Sequence, residues 1–450
     1  MASIITSNVT SGFIDLATFD EIEKYMYGGP DATAYFVRET RKSTWFTQVP
    51  VVLSRASGSA SFGQDWSASI SRAGDYLLQT WLRTTIPSVT LVSNSTTGGK
   101  YLFWTPNLMH NLIRECAVTF NDLVAARFDN YHLDFWTAFT VPAGKQEGYS
   151  NMIGNLPGLT NGTLSGNAKD AATLNLPLPF FYTRDSGVAL PTAALPYNEM
   201  RVNFSFRDYT ELLYYNSASV SSSGTAVTSN DLSAVPVLSQ TQVWANYAIV
   251  SNEERKRMAC APRDILIEQV QTAPRQSFTP ATNTSQSFDI RFSHGIKALF
   301  FAVRNNTNKG NWSNYTTAQP TVGGSGEIIQ NASVADPILQ TSLIYENTSR
   351  LSQMGSDYYS LVNPYYNAVN IPTEVGYHCY SYSLDFISLD PMGSTNYGKL
   401  TNVSIVPEAS AAAVTASGSG GGSQTFEFII TAVNNNIIRI SGGALGFPVL

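Results

Sequence analysis

The stretch Asn175–Phe206, NLPLPFFYTRDSGVALPTAALPYNEMRVNFSF, constrains the fold more than any other part of the chain. It holds three short apolar or aromatic runs, punctuated by Pro177, Pro179, Gly187, Pro191 and Pro196. Runs this short, rich in Phe and Val and ended by Pro or Gly, read as strands turning in a compact β domain. The stretch contains no nucleophile beside a base, no metal-ligand pair and no phosphate-binding loop.

The rest of the chain follows the same pattern. From Tyr35 onward the sequence is strand-like. Ala68–Arg83 reads as a strand, a Ser-Arg-Ala-Gly turn and a buried aromatic-rich strand from Tyr76. Residues 288–304 echo it: Phe288-Asp-Ile-Arg-Phe292, a Ser-His-Gly turn, then Lys297-Ala-Leu-Phe-Phe-Ala-Val-Arg304. The same strand–turn–strand unit is therefore expected once in each half. Ser217–Ser233 is a Ser/Ala/Thr-rich run expected to be a long exposed loop. Val243–Val250 returns to a strand, and Ser251-Asn-Glu-Glu-Arg-Lys-Arg257 reads as a charged helical turn with Ser251 as its cap. Ser417–Ser423, SGSGGGS, is expected to be a flexible loop between strands Leu400–Val406 and Thr425–Val433. Many short strands, few helices and long polar loops are the signature of jelly rolls, in which eight strands form two facing sheets.

At 450 residues the chain is too long for one ordinary β domain and comfortable for two. Hydrophobic residues make up 43% and aromatic residues 12%, enough for a real core, while only 13% are charged. That is about half of the roughly 25% usual in soluble domains, so much of the exterior is uncharged. Such a surface suits a protein whose sides are covered by neighbours, because charge is depleted from interface cores. It also fits an ordinary secreted β protein with a Ser/Thr/Asn surface. A net charge of −6, with no basic run longer than Arg255-Lys-Arg257, lacks the footprint that tight nucleic-acid binding requires.

Cys116, Cys260 and Cys379 lie far apart, which argues against a disulfide framework and for a reducing compartment. The opening residues show no basic segment followed by an apolar core, and no run approaches the ~18 apolar residues of a membrane span. Ala2 removes the glycine that N-myristoylation needs. Synthesis in the cytosol is the expectation. His110, His132, His294 and His378 are scattered singly, without the clustered spacing of a jelly-roll metal enzyme, so no cofactor or metal is expected. His294 fits a turn. Asp65, Asp75, Glu199 and Glu268 are candidate carboxylates for glycoside chemistry, yet nothing pairs them. Asn-x-Ser/Thr sequons at Asn94, Asn161, Asn305, Asn311, Asn314, Asn331 and Asn402 follow from the composition.

Residues 18–28 carry the clearest helix signal. Thr18 and Glu21 stand in capping-box spacing, Phe19, Ile22 and Met26 share one face, and Gly28 is the expected left-handed stop. A helix this short is marginal alone in water, so its stripe needs a surface: the chain's own first domain or a partner.

The order of motifs in Asn175–Phe206 resembles the hallmark segment of the major capsid proteins of large icosahedral double-stranded DNA viruses, and of the iridovirus branch in particular. Further motifs follow in the family's order along nearly the whole chain. They are Thr10-Ser-Gly-Phe-Ile-Asp-Leu-Ala-Thr-Phe19, Phe62-Gly-Gln, Ser71-Arg-Ala-Gly-Asp-Tyr76, Asn107-Leu-Met-His-Asn111, Phe120-Asn-Asp-Leu123, Glu253-Glu-Arg255, Ile265-Leu-Ile-Glu-Gln269, Arg291-Phe-Ser-His294, Asp390-Pro-Met-Gly-Ser-Thr-Asn396 and Gly446-Phe-Pro-Val-Leu450.

The resemblance implies an all-β double jelly roll, two consecutive eight-stranded sandwiches with a short N-terminal helical arm. The expected division is an arm over 1–34, a first jelly roll over 35–250, a linker over 251–262 and a second jelly roll over 263–450. It implies a non-enzymatic subunit of the virion's icosahedral capsid, made and assembled in host cytoplasm. Three copies are expected to form a pseudo-hexagonal capsomer that meets neighbouring capsomers, minor capsid proteins and penton proteins. Proximity to an internal viral membrane, without spanning it, is also implied, and no direct contact with nucleic acid is expected. Phe19, Ile22 and Met26 are the expected partner-binding residues of the arm. A carbohydrate-binding or carbohydrate-cleaving jelly roll is the alternative, and it would need a cleft with exposed Trp or Tyr beside paired carboxylates.

Overall fold

The computed structural model describes residues 2–92, 99–217, 224–318, 321–322, 328–329 and 334–448. Two compact units result, Met1–Trp45 and Phe46–Leu450. The first holds α1 (Ala2–Ala17) and α2 (Glu21–Tyr27). α1 was not expected. The cap of α2 is Asp20 rather than Thr18: the Asp20 carboxylate accepts from the backbone N–H groups of Ile22 at 2.9 Å and Glu23 at 3.3 Å. A carboxylate reaches these free N–H groups and also opposes the helix dipole. Thr18 instead donates its hydroxyl to the Asp15 carbonyl at 2.7 Å, closing the preceding helix. Gly28 is extended, and the positive φ falls one residue later, at Gly29.

No strand forms over 35–45; the first begins at Phe46. The first sandwich uses β1 (Phe46–Val52), β2 (Asp65–Ser69), β3 (Tyr76–Ile86), β4 (Ile113–Phe120), β5 (Leu123–Phe128), β6 (Ala172–Pro177), β7 (Met200–Phe206) and β8 (Ser239–Val250). One sheet runs β1-β8-β3-β6. The facing sheet runs β2-β7-β4-β5, with Ser54–Gly58 on its edge.

The second sandwich uses β9 (Arg263–Thr272), β10 (Phe288–Asp289), β11 (Gly295–Asn305), β12 (Ile338–Tyr345), β13 (Thr348–Gly355), β14 (His378–Ser381), β15 (Val403–Ala409) and β16 (Phe426–Ser441). Its sheets run β9-β16-β11-β14 and β10-β15-β12-β13. Adding eight to each label of the first sandwich gives the second, so the two share one jelly-roll strand order.

The repeat extends to detail. β3 and β11 each span eleven residues. Each is bulged at its third: Leu78 is skipped between the pairs Leu77–Tyr247 and Gln79–Asn246, and Lys297 between Ile296–Asn434 and Ala298–Val433. The strand–turn–strand echo read from the sequence is the β2–β3 corner and its β10–β11 counterpart. In both, the turn carries the chain from one sheet to the other rather than forming a hairpin. Gly74 is required at the first corner because a Cβ there would sit 2.5 Å from Cβ of Tyr247. His294 makes the second corner with φ 65°, a conformation His tolerates better than β-branched residues.

Several expectations need correcting. The middle of Asn175–Phe206 is not a third strand but three 3-10 turns, Phe181–Thr183, Ser186–Val188 and Thr192–Ala194, between β6 and β7. Proline there removes N–H donors that a ladder would need. Of the Ser217–Ser233 loop, 218–223 lie outside the described residues. The remainder is anchored by buried Val227 and Leu232 and by a capping box between Thr228 and Asp231. The segment before and within SGSGGGS is helical, with Ala411–Ser417 followed by a 3-10 turn at Ser419–Gly421, and it crosses from β15 to β16 in the opposite sheet. Ser251 occupies the N-cap position of the helix Asn252–Cys260, but its side chain makes no capping bond. Among the helices the sequence reading missed are α3 (Leu108–Leu112) and, in the β5–β6 connection, α4 (Asn130–Thr140) and α5 (Ala143–Ile153).

Candidate functional site

The seam between the sandwiches is held by a dense set of ring and polar contacts. It is built by α4, which Asp129 starts by accepting the His132 N–H at 3.0 Å. Its Phe135, Trp136 and Phe139 rings lie 6.4, 6.3 and 5.5 Å from the ring of Phe300 on β11. Trp136 also meets Phe386 edge-on. Burying three such rings contributes roughly 1.5–3 kcal/mol each. The sheet β9-β16-β11-β14 is therefore covered on both faces. Leu299, Phe301 and Ile430 face the second sandwich's own core, whereas Ile267, Phe300, Ile429 and Val433 join the first sandwich's core.

Polar contacts fix the register of this seam. The buried Asp134 carboxylate accepts from His110 Nδ1 at 2.8 Å and Asn107 at 3.2 Å on one oxygen, and from Ser313 at 3.0 Å and Tyr315 at 2.8 Å on the other. The first two donors belong to the first sandwich and the last two to the second. His110 Nδ1 donates to Asp134, and its Nε2 accepts from the Tyr149 hydroxyl at 2.6 Å. Burial pushes the Tyr149 phenol far up, so its hydroxyl keeps its proton and remains a donor in this Tyr–His–Asp clamp.

Charged groups at the seam are likewise paired. Glu268 on β9 is buried between Lys297 and Arg184; Arg184 Nη2 lies 2.8 Å from its Oε2 without the alignment of a hydrogen bond. The Arg184 guanidinium also stacks 3.9 Å over Trp136. Arg207 and Arg304, one from each sandwich, lie 3.6 and 4.2 Å over the Trp312 ring. Burial brings Arg207 down to about 10.

The motifs quoted from the sequence meet in space. Asp75 of Ser71–Tyr76 accepts both Arg255 nitrogens, at 2.7 and 3.0 Å, and so latches the helix Asn252–Cys260 to β3. Burial raises the Asp75 carboxyl, but the hydrogen bonds from Arg255 and Val250 N–H outweigh it and hold the group below its ordinary value. Arg72 donates to the Leu195 carbonyl at 2.6 Å and to that of Asn198, tying the same corner to the Ala-Leu-Pro-Tyr-Asn run.

The remaining candidates are placed as follows. His132 is buried and lowered to about 3 by burial and by nearby Arg184. His378 is also buried, with Nδ1 on the Phe301 carbonyl at 3.2 Å and Nε2 on Asp336 at 2.7 Å. Burial raises the Asp336 carboxyl, but His378 and three hydrogen bonds outweigh that and bring it below the usual range.

Of the candidate carboxylates, Asp75 and Glu268 are paired as above, Glu199 is bonded to Arg201, and Asp65 is exposed on β2. None of them lines the groove of about 1380 Å³ beside Trp81. Cys116 and Cys379 are buried and Cys260 is exposed, all three free. Sequon residues Asn305 and Asn311 are buried, and Asn94 and Asn331 lie outside the described residues. On the arm, Phe19, Ile22 and Met26 are 46%, 70% and 62% exposed.

Two jelly rolls of one strand order, joined by a common core and free of any assembled reaction centre among the residues described above, define a double jelly-roll chain of the kind that builds viral shells. Comparison with known proteins agrees. Residues 34–250 match the family "Major capsid protein N-terminus" and residues 254–446 match "Large eukaryotic DNA virus major capsid protein". The major capsid protein of Costelytra zealandica iridescent virus is 66% identical over 463 residues, covering 100% of both chains. In fold, the chain resembles PBCV-1 VP54, at a TM-score of 0.73 and 22% identity over 93% of this chain and 100% of that one. It likewise resembles the Faustovirus major capsid protein, at 0.72 and 11% identity over 98% and 99%. The chain belongs to the family of large eukaryotic DNA virus major capsid proteins. Its role is structural, as a component of the virion's capsid.

Proposed function

We propose that three copies of this chain associate into a capsomer of nearly hexagonal outline, and that these capsomers tile an icosahedral shell. The observation that carries the proposal is the repeat: two sandwiches of identical strand order, fixed to each other by α4 and Asp134, give a three-fold ring six like units. Native mass spectrometry of the isolated protein tests it. A trimer is expected, with an interface above the ~2,000 Å² at which obligate contacts begin; monomers or dimers alone would overturn it.

The working division is an arm over 1–34, jelly rolls over 35–250 and 263–450, and a linker over 251–262. It is supported by the fact that the β1–β8 and β9–β16 sheets exchange no strand. The arm, through Phe19, Ile22 and Met26, docks on minor capsid proteins or neighbouring capsomers, and penton proteins close the vertices. The inner side of the shell lies near a membrane that the chain does not cross, genome contact is absent, and assembly takes place in host cytoplasm. No catalysis is assigned. Nearly every buried charge in the seam already has a partner, which supports a purely mechanical role.

A further inference from the structure

The internal seam has a direction. The β5–β6 connection of the first sandwich lies on the outer face of the second sandwich's β9-β16-β11-β14 sheet, and its landing point is Phe300. Because the sandwiches share strand order, and β3 and β11 also share length and bulge position, each half of this contact has a positional counterpart elsewhere in the chain.

The counterpart of Phe300, sixth residue of β11, is Trp81, sixth residue of β3. Trp81 stacks on Trp244 at 6.2 Å, on the outer face of the β1-β8-β3-β6 sheet. Val52 pairs with Trp244 and shares that face, 39% exposed. The groove of about 1380 Å³ opens between Trp81 on this face and the chain's own α4 and α5, leaving space beside the Trp81 ring.

The counterpart of α4 is the β13–β14 connection, a π-helical turn over Tyr358–Val362 that runs into the helix Asn363–Asn367. Buried Tyr359, Asn363 and Pro364 anchor its inner side. Its outer side presents Leu361, Tyr365 and Tyr366, 52%, 70% and 75% exposed. From Tyr358 to Thr373 there is no charged residue, the composition expected at the core of an interface.

We propose that the β13–β14 helix of one copy docks on the Trp81 face of the next copy, repeating between chains the seam that α4 makes on Phe300 within each chain. The occupant is a second copy of this chain because the chain itself carries both halves of the contact, and their fitted form is already visible inside it. Such a contact is heterologous, head to tail, and closes into a ring when the rotations add up to a full turn. The inference rests on the trimer reading and gives that trimer its interface.

The test uses the full-length protein with Cys260→Ser, which removes the exposed thiol and leaves Cys116 and Cys379 buried. A chain carrying both Trp81→Cys and Tyr365→Cys, treated with a short bis-maleimide, is expected to give covalent dimers and trimers. Chains with either substitution alone should give none. Separately, Trp81→Glu, and Tyr365→Glu with Tyr366→Glu, are each expected to weaken the trimer at least tenfold while the circular dichroism spectrum of the folded chain is retained. Cross-linking by Trp81→Cys alone, which indicates a symmetric contact, would overturn the inference. So would a trimer that survives both sets of charge substitutions undiminished, an outcome that leaves the trimer reading standing. A wild-type protein that never trimerises overturns both.

Discussion

Asp134 shows what a single buried carboxylate can do when four donors replace the water it has lost. Taking a charge out of solvent is tolerated only when hydrogen bonds satisfy its oxygens, and here the donors come in pairs from the two sandwiches. Asp134→Asn replaces an acceptor oxygen by an NH₂ group that faces donors. A loss of roughly 1–3 kcal/mol is expected, read as a lower melting temperature at neutral pH. His132 supplies a pH-dependent counterpart. Its folded pKa is lowered by burial to about 3, against about 6.5 in an unfolded chain, so between these values the unfolded state binds the extra proton. Stability from keeping this ring neutral is fully present above pH 6.5 and is lost as pH falls towards 3. Wild-type melting temperature should therefore fall more steeply between pH 7 and pH 4 than that of His132→Gln, which has nothing to titrate; parallel curves would refute this.

At the scale of elements, the strands were the legible part of the sequence and the helices between them were not. β3, β8 and β11 are long aromatic or β-branched runs, so their presence and period were readable, although β3 runs on to Ile86 and β8 starts at Ser239, four residues before the expected Val243. α4 escaped because Asn130–Thr140 is buried almost all round, with Asn130, His132 and Asp134 set among its aromatic residues, which breaks the one-face pattern. The signal present was Asp129, an N-cap residue just before an apolar run. The seam residues were equally hidden: Ser313 and Tyr315 become partners of Asp134 only through folding, at separations of 179 and 181 residues. In the arm, the stripe of Phe19, Ile22 and Met26 was readable although its cap was misplaced by two residues, since Thr and Asp both suit that position. Removing residues 1–28 is expected to leave folded trimers that assemble poorly. Electron microscopy of assembly reactions checks this: normal shells from the truncated protein would remove the assembly role, and a lowered trimer melting temperature would point instead to docking on the first jelly roll.

For the whole molecule, the decisive feature is that one of the two hydrophobic cores belongs to both sandwiches. No metal cluster exists among the described residues and the three thiols are free, so melting temperature should not change in EDTA or dithiothreitol; a drop of several degrees would expose a missed metal or disulfide. The shared core has a stronger consequence. A second sandwich separated from the first would present Ile267, Phe300, Ile429 and Val433 to water on the outer face of its β9-β16-β11-β14 sheet, together with the Glu268–Lys297 pair that Arg184 normally covers. Four large apolar side chains at roughly 1.5–3 kcal/mol each are comparable with the 5–15 kcal/mol that holds a typical domain together. The fragment 263–450 expressed alone should therefore bind apolar dye and aggregate, and co-expression with 1–262 should restore a soluble complex. The intact chain should accordingly unfold in one calorimetric transition over residues 46–450, with the calorimetric and van't Hoff enthalpies equal. Two separate transitions, or a soluble and cooperatively folded 263–450 fragment, would show that the sandwiches are independent domains and that the seam is a surface contact, not a core.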